Sequence, residues 1–182
     1  MYLSLSCQGL KSVPSYVTDL DNLEKLDLGW NQLSDLPKLP LGLKSLYCHK
    51  NSFTKIPESV RDLTSLEELF FWDNQLTSVP NWIGELTNLK RLSLTDNNLV
   101  LLPESINQLE LHGLYLQRNK LQSLPNINCS HIGCVLFGSN PITDYSGVIH
   151  LFREADDNLL FELSLSLPRD LYNKLKTQAN QE

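Results

Sequence analysis

Potential metal ligands lie close together late in the sequence: Cys129, His131 and Cys134, followed by His150. Thiolate sulfur and imidazole nitrogen are the ligands that zinc prefers in proteins. However, Cys134 is expected on the exposed side of a strand and Cys129 in the loop before it, so their side chains do not converge. We therefore predict no metal site.

Common catalytic motifs are absent from the sequence. It contains no G-x-x-x-x-G-K-[ST], G-x-G-x-x-G, H-E-x-x-H or G-x-S-x-G pattern. His49 is the one histidine expected on the exposed face of a predicted sheet. It has no partner residue there that would make it catalytic. We predict that the protein is not an enzyme and carries no cofactor.

Three consecutive aromatic residues, Phe70, Phe71 and Trp72, are the strongest sign of a binding function. Successive side chains of a β-strand point to opposite faces. In a strand, Phe71 would therefore face one side, and Phe70 and Trp72 the other. Which of them are buried depends on the element that carries them.

That element is a repeat of the form L-x-L-x-x-N-x-L, which recurs every 20 to 23 residues. Its seven copies begin at Leu3, Leu26, Leu46, Leu69, Leu92, Leu114 and Val135. One short L-x-L strand cannot form a stable core alone, so the copies must stack and pair their strands in parallel. The Asn of each copy carries both donors and an acceptor, and it is predicted to satisfy backbone groups in buried turns.

This pattern resembles that of leucine-rich repeat (LRR) proteins over roughly residues 2–145. The resemblance implies an α/β fold: a right-handed β/α solenoid whose concave face is a parallel sheet of about seven strands. The doubled L-P-x-L-P element at residues 36–40 is similar to repeats of LRR effectors that Gram-negative pathogens deliver into host cells. That likeness suggests an effector.

Repeat length predicts the convex side. Copies of 23 residues have room for a helical turn, for which Pro80, Ile83, Leu86 and Leu89 have suitable spacing. The shorter copy that contains Pro37 and Pro40 should run extended.

The two ends of the solenoid need covering. We expect residues 1–145 to form the LRR domain and residues 146–182 to form a capping segment of the same domain, built as helix, strand and helix. Alternating residues from Phe161 predict the strand, and Pro168 begins the second helix. The chain starts within a strand at Tyr2, which favours a missing upstream segment over an open edge.

With the leucines buried, the alternating residues lie on the concave face and supply the candidate binding site. These residues combine aromatic rings with charges of both signs, which is typical of binding hot spots. They are Trp30, Tyr47, His49, Lys50, Phe70, Trp72, Asp73, Arg91, Asp96, Tyr115 and Arg118. The alternative is that the rings pack on one another and bind nothing.

Charge limits the possible partners. The net charge of −6 and the absence of a long apolar run argue against nucleic-acid and membrane binding.

Four scattered cysteines are typical of free thiols in a reducing compartment. We expect a cytoplasmic monomer that binds a partner protein or, if it is a bacterial effector, a protein secreted into the host cytosol. Alternatives are carbohydrate or small-ligand recognition, and a targeting subunit of a ubiquitin ligase or another enzyme complex.

Overall fold

A computed structural model describes residues 1–127, 131–154 and 167–180. Within these residues, seven strands pair in parallel and in chain order to form one sheet. The strands are β1 (Tyr2–Ser4), β2 (Lys25–Asp27), β3 (Ser45–Tyr47), β4 (Glu68–Phe70), β5 (Arg91–Ser93), β6 (Gly113–Tyr115) and β7 (Cys134–Leu136). This arrangement confirms the expected solenoid.

The first leucine of each repeat sets the register of the sheet. Leu3 pairs with Leu26, Leu26 with Leu46, and the alignment continues to Val135. From Leu26 onwards these side chains are fully buried. Each buried leucine contributes roughly 1.5–3 kcal/mol, so the stacked column forms a continuous core.

A column of asparagines joins successive turns, as predicted. The Asn74 amide donates to the carbonyl oxygens of Cys48 at 2.9 Å and Phe71 at 3.1 Å, and its own oxygen accepts from the backbone N–H of Phe53 at 3.1 Å. The same three-way pattern recurs at Asn97. We call these residues the Asn column: Asn31, Asn51, Asn74, Asn97, Asn119 and Asn140.

The residue directly before each Asn, and Cys7 before Gln8 in the first repeat, adopts a left-handed backbone conformation, with φ between 52° and 60°. These residues form the left-handed column: Cys7, Trp30, Lys50, Asp73, Asp96, Arg118 and Ser139. Two adjacent positions, such as His49 and Lys50, can both face the concave side because the strand alternation has ended there. Strand periodicity alone does not predict this turn.

On the convex side, four repeats form short 3-10 helices in the part of the chain that the structure describes, each preceded by a proline. They span Ser15–Asp19, Glu58–Val60, Asn81–Glu85 and Glu104–Gln108. Proline suits the residue before a helical turn because it fixes φ and lacks an N–H. No helix lies between β2 and β3 in the described chain, and that this segment runs extended stays a prediction.

Within the described residues, two α-helices follow the last strand: α1 (Ser146–Glu154) and α2 (Arg169–Ala179). Phe152 of α1 and Tyr172 of α2 pack edge to face, 5.1 Å apart. A Cβ on Gly147 would lie 2.0 Å from the Leu124 carbonyl oxygen, so α1 lies directly on the backbone of the sixth repeat. Both predicted cap helices are confirmed, giving a helical cap.

The strand predicted from Phe161 lies outside the described residues, apart from its last residue, Leu167. The division at residues 145 and 146 stays a prediction. Among the described helices, none combines the length and apolarity that crossing a bilayer requires.

Candidate functional site

Strands β3 and β4 bring Tyr47 and Phe70 side by side on the concave face. The two residues are register partners, and their ring centroids are 5.2 Å apart at an interplanar angle of 58°. The Tyr47 hydroxyl donates to Glu68 Oε2 at 2.6 Å, which fixes the position of the ring. These rings therefore form a tilted pair with one polar anchor.

Glu68 is the polar centre of this region. It accepts hydrogen bonds from Tyr47, Ser45 and Arg91. Burial alone would raise the pKa of Glu68, but these hydrogen bonds and the Arg91 charge lower it below the ordinary value. Burial, followed by the hydrogen bond to Glu68, raises the pKa of Tyr47. Tyr47 thus remains a protonated donor and Glu68 a charged acceptor at neutral pH.

A second cluster lies at the end of the same strands, and we call it the tryptophan site: Trp30, His49, Lys50, Trp72 and Asp73. The His49 and Trp72 rings stack with centroids 4.4 Å apart and planes 12° from parallel. Lys50 Nζ lies 3.8 Å from the Trp30 ring centroid and 5.6 Å from that of Trp72. It also pairs with the Asp73 carboxylate at 3.4 Å.

Gly29 makes room for His49. A Cβ on Gly29 would lie 2.3 Å from His49 Cε1, so the imidazole ring rests against the glycine backbone. His49 Nδ1 is buried and has no hydrogen-bond partner. Burial, helped by the Lys50 charge, lowers the pKa of His49 despite Asp27 and Asp73 nearby. His49 is therefore a neutral ring at pH 7.

The aromatic rings differ in exposure. Trp30 is 52% exposed, whereas Tyr47, Phe70 and Trp72 are half-buried. Strand alternation predicted that all of them face solvent. They are on the expected face, but mutual packing covers part of each ring except that of Trp30.

The other predicted site residues lie beside these clusters. Arg118 donates to both carboxylate oxygens of Asp96, and this contact, opposed by burial, lowers the pKa of Asp96. Arg91 joins the Glu68 network. Tyr115 lies on β6, where its ring folds over Gly113: a Cβ there would be 2.9 Å from the Tyr115 hydroxyl.

Sequence reasoning left Glu68 and Gly29 out of the site. Both had a signal: Glu68 is in register between Ser45 and Arg91, and Gly29 is the small residue beside His49. Reading across the strands, in addition to along them, would have found both.

The geometry of the described residues does not support a metal site. No group of three or more His, Cys, Asp or Glu residues there could hold an ion. Cys129 lies outside the described residues, so its distance from Cys134 is not defined. Cys48 is fully buried in the core, and Cys7 is exposed.

Comparison with protein families agrees with the repeat geometry. The profile described as "Leucine-rich repeat region" matches residues 1–94, and that described as "Leucine Rich Repeat" matches residues 88–109. The chain belongs to the leucine-rich repeat family. A comparison with curated proteins found no match.

Several solved structures are similar to this LRR protein. YopM from Yersinia enterocolitica is 27% identical with a TM-score of 0.64, over 78% of this chain and 34% of YopM. The LRR ectodomain of the plant receptor kinase GASSHO1/SCHENGEN3 from Arabidopsis thaliana is 32% identical with a TM-score of 0.60, over 71% of this chain and 17% of the ectodomain. The Leptospira interrogans LRR protein LIC12759 is 27% identical with a TM-score of 0.50, over 86% of this chain and 58% of LIC12759.

These structures are longer than the region they share with this LRR protein. The chain spans about a third of YopM and about a sixth of the plant ectodomain. YopM supports the resemblance to pathogen LRR effectors that the sequence indicates. The plant ectodomain is in complex with CASPARIAN STRIP INTEGRITY FACTOR 2.

Proposed function

We propose that this LRR protein binds a partner protein on its concave face, through the aromatic rings centred on Phe70 and Trp72. The interface would also use the remaining predicted residues: Trp30, Tyr47, His49, Lys50, Asp73, Arg91, Asp96, Tyr115 and Arg118. Its function is interaction, without catalysis.

Trp30 is the observation that carries this proposal. It is 52% exposed and has a φ of 55°. The left-handed conformation recurs at this position in all seven repeats, so it belongs to the scaffold. The same backbone position holds Cys7 and Ser139 in other repeats, so the scaffold does not require tryptophan there.

The charges of the face favour a partner that supplies apolar and aromatic anchors. Lys50, Arg91 and Arg118 are each paired with a carboxylate on the same face. Such a surface does not present a field of one sign, so it does not attract nucleic acid. Tryptophan, tyrosine and arginine are the residue types that dominate hot spots.

The double substitution Phe70→Ala and Trp72→Ala tests the site. Wild type and variant, each on a resin, are used to capture proteins from cell lysate for identification by mass spectrometry. We expect the double variant to lose the specifically captured protein. Tyr16→Ala with Leu101→Ala is the matched control, because it removes exposed apolar side chains that are not on the strands.

Unchanged capture by a folded Phe70→Ala, Trp72→Ala variant would refute the site. Loss of capture by the control as well would mean that binding does not depend on the concave face.

The similarity to YopM supports a narrower version, in which the chain acts as a bacterial effector inside a host cell. We expect specific capture from eukaryotic lysate and none from bacterial lysate. Specific capture from bacterial lysate alone would contradict the effector role and leave the binding function in place.

The cap gives the targeting-subunit alternative no support. The apolar side chains described on α1 and α2 are buried or half-buried, including Val148, Leu151, Phe152 and Leu175. A second partner docked there would need exposed apolar surface, and the exposed large hydrophobic residues of the described chain lie in the repeats.

A further inference from the structure

The ammonium group of Lys50 lies close to the faces of two tryptophans. Its Nζ is 3.8 Å from the Trp30 centroid and 5.6 Å from the Trp72 centroid. Both distances are within the roughly 6 Å at which the negative face of an aromatic ring attracts a cation. The chain therefore already holds a positive charge between two aromatic side chains.

Carboxylates reinforce the preference for positive charge. Asp73 lies 3.4 Å from Lys50 Nζ. The pKa of Asp96 is lowered mainly by its hydrogen bond to Arg118, and the Lys50 charge contributes to the same shift. A second carboxylate therefore lies within electrostatic reach of Lys50. Rings and carboxylates together make this part of the concave face a cation site.

Lys50 is held there weakly enough to be replaced. Its side chain is 30% exposed, and that of its partner Asp73 is 52% exposed. Exposed ion pairs contribute little because water solvates the separated charges well. A long lysine side chain can swing into solvent while another cation takes its place.

We propose that Trp30 and Trp72, with Asp73 beside them, form a cage for a lysine or arginine side chain of the partner protein, which Lys50 occupies in the free chain. This inference rests on the proposed concave-face function and adds the chemistry of one anchor. His49 stacks on one face of Trp72, so the cation approaches the other. Lys50 keeps the cage filled until a partner supplies a competing charge.

Three tryptophans make the cage observable by NMR, because each indole N–H gives its own signal. Trp30 and Trp72 report on the cage. Trp82 is the internal reference, since its Nε1–H donates to Glu58 on the convex side at 2.9 Å. The probe is N-acetyl-arginine amide, and its citrulline counterpart is the neutral control of similar shape.

The test compares wild type with Lys50→Asn. This substitution removes the built-in cation and suits the left-handed backbone, in which Asn is enriched. Lys25→Asn is the matched control, because Lys25 is an exposed lysine of β2 and its replacement changes the net charge equally. If Lys50→Asn does not fold, as judged by a displaced Trp82 signal, Lys50→Gln is measured instead.

We expect the arginine probe to shift the Trp30 and Trp72 signals and to bind the Lys50 variant about five- to tenfold more tightly than wild type. The Lys25 variant should bind like wild type, and the citrulline probe should bind neither. Equal binding of the arginine probe to wild type and to the Lys50 variant would overturn the proposal. Equal binding of the citrulline probe would also overturn it, because the site would then be apolar.

These outcomes are independent of the capture experiment. A cage that binds the probe while capture is unchanged would refute the proposed binding face alone. Lost capture together with no effect of Lys50→Asn would refute the cage alone.

Discussion

The Asn column and the left-handed column occupy adjacent positions in six of the seven repeats, yet their chemistry differs completely. Asn97 is buried, and its side chain bonds four backbone groups, two of them in the preceding repeat. Asp96, directly before it, points to the concave face and pairs with Arg118. The first residue satisfies the scaffold, and the second lies on the surface of the concave face.

The difference shows what each position demands. The left-handed column holds cysteine, tryptophan, lysine, aspartate, arginine and serine within one chain, all with φ near 55°. The backbone geometry therefore tolerates almost any side chain at that position. The Asn column has no such freedom because its side chain must accept from a backbone N–H and donate to carbonyls of two repeats at once, which needs both an oxygen and an NH2 group.

The largest effect is expected inside the core, at Phe71. Phe71 is fully buried and packs edge to face on Phe53, 5.0 Å away. Replacing it with Ala should lower the free energy of unfolding by about 3–5 kcal/mol, because a cavity remains. Urea denaturation measures this loss. Phe70→Ala is the adjacent control, and an equal loss there would mean that the two faces of β4 are not distinct.

The next largest effect is expected in the Asn column. Asn97→Ala leaves the buried Leu76 N–H without a partner. The Phe71 and Leu94 carbonyls each lose one of two amide donors and keep the other, from a neighbouring member of the Asn column. One unsatisfied buried group costs about 1–3 kcal/mol, so the free energy of unfolding should fall by about that amount. Chemical denaturation checks this value.

Asp96→Ala, one residue earlier, is the control and should cost less than about 1 kcal/mol, because exposed ion pairs contribute little. A loss at Asp96 as large as that at Asn97 would contradict the division between scaffold and surface.

The Glu68 network should give a smaller effect that depends on pH. Its hydrogen bonds to Tyr47, Ser45 and Arg91 lower the pKa of Glu68 in the folded state, so the stability that they add is present above the unfolded pKa. That stability is lost as pH falls below about 4.3 and through the lower folded value. Wild type should exceed Glu68→Gln in thermal stability at pH 7, and the difference should shrink towards pH 3. A difference that does not change with pH would exclude this linkage.

The smallest effect is local, at Gly29. In Gly29→Ala the new Cβ would overlap the His49 ring, which must leave its stack on Trp72. We expect the His49 pKa to rise towards its ordinary value of 6.5, because the ring becomes more solvated. NMR titration of the imidazole follows this change. Gly42→Ala is the control, since its nearest contact would be 3.7 Å from Asp21, and it should leave the His49 pKa unchanged.

Sequence periodicity predicted most of the fold. The L-x-L pattern and the regular Asn predicted seven parallel strands in order, and the repeat length predicted helical turns on the convex side of the 23-residue copies. These features repeat, so each copy supports the assignment of the others. The left-handed column was missed because strand alternation carries no information about where the strand ends.

The candidate site was predicted only in outline. Alternation identified which residues share the concave face, and it separated Phe71 from Phe70 and Trp72. It did not predict that His49 stacks on Trp72 or that Lys50 lies over Trp30, because those contacts depend on side-chain packing between strands. Glu68 was missed for the same reason.

Binding of a captured partner to the concave face is the most direct test of the central claim. Calorimetric titration of the purified partner should show at least about a 30-fold loss of affinity for the folded Phe70→Ala, Trp72→Ala variant, as expected for hot-spot residues. The Tyr16→Ala, Leu101→Ala control should stay within about twofold of wild type, since surface changes outside the interface have small effects. Equal affinity of wild type and the Phe70→Ala, Trp72→Ala variant would contradict the account.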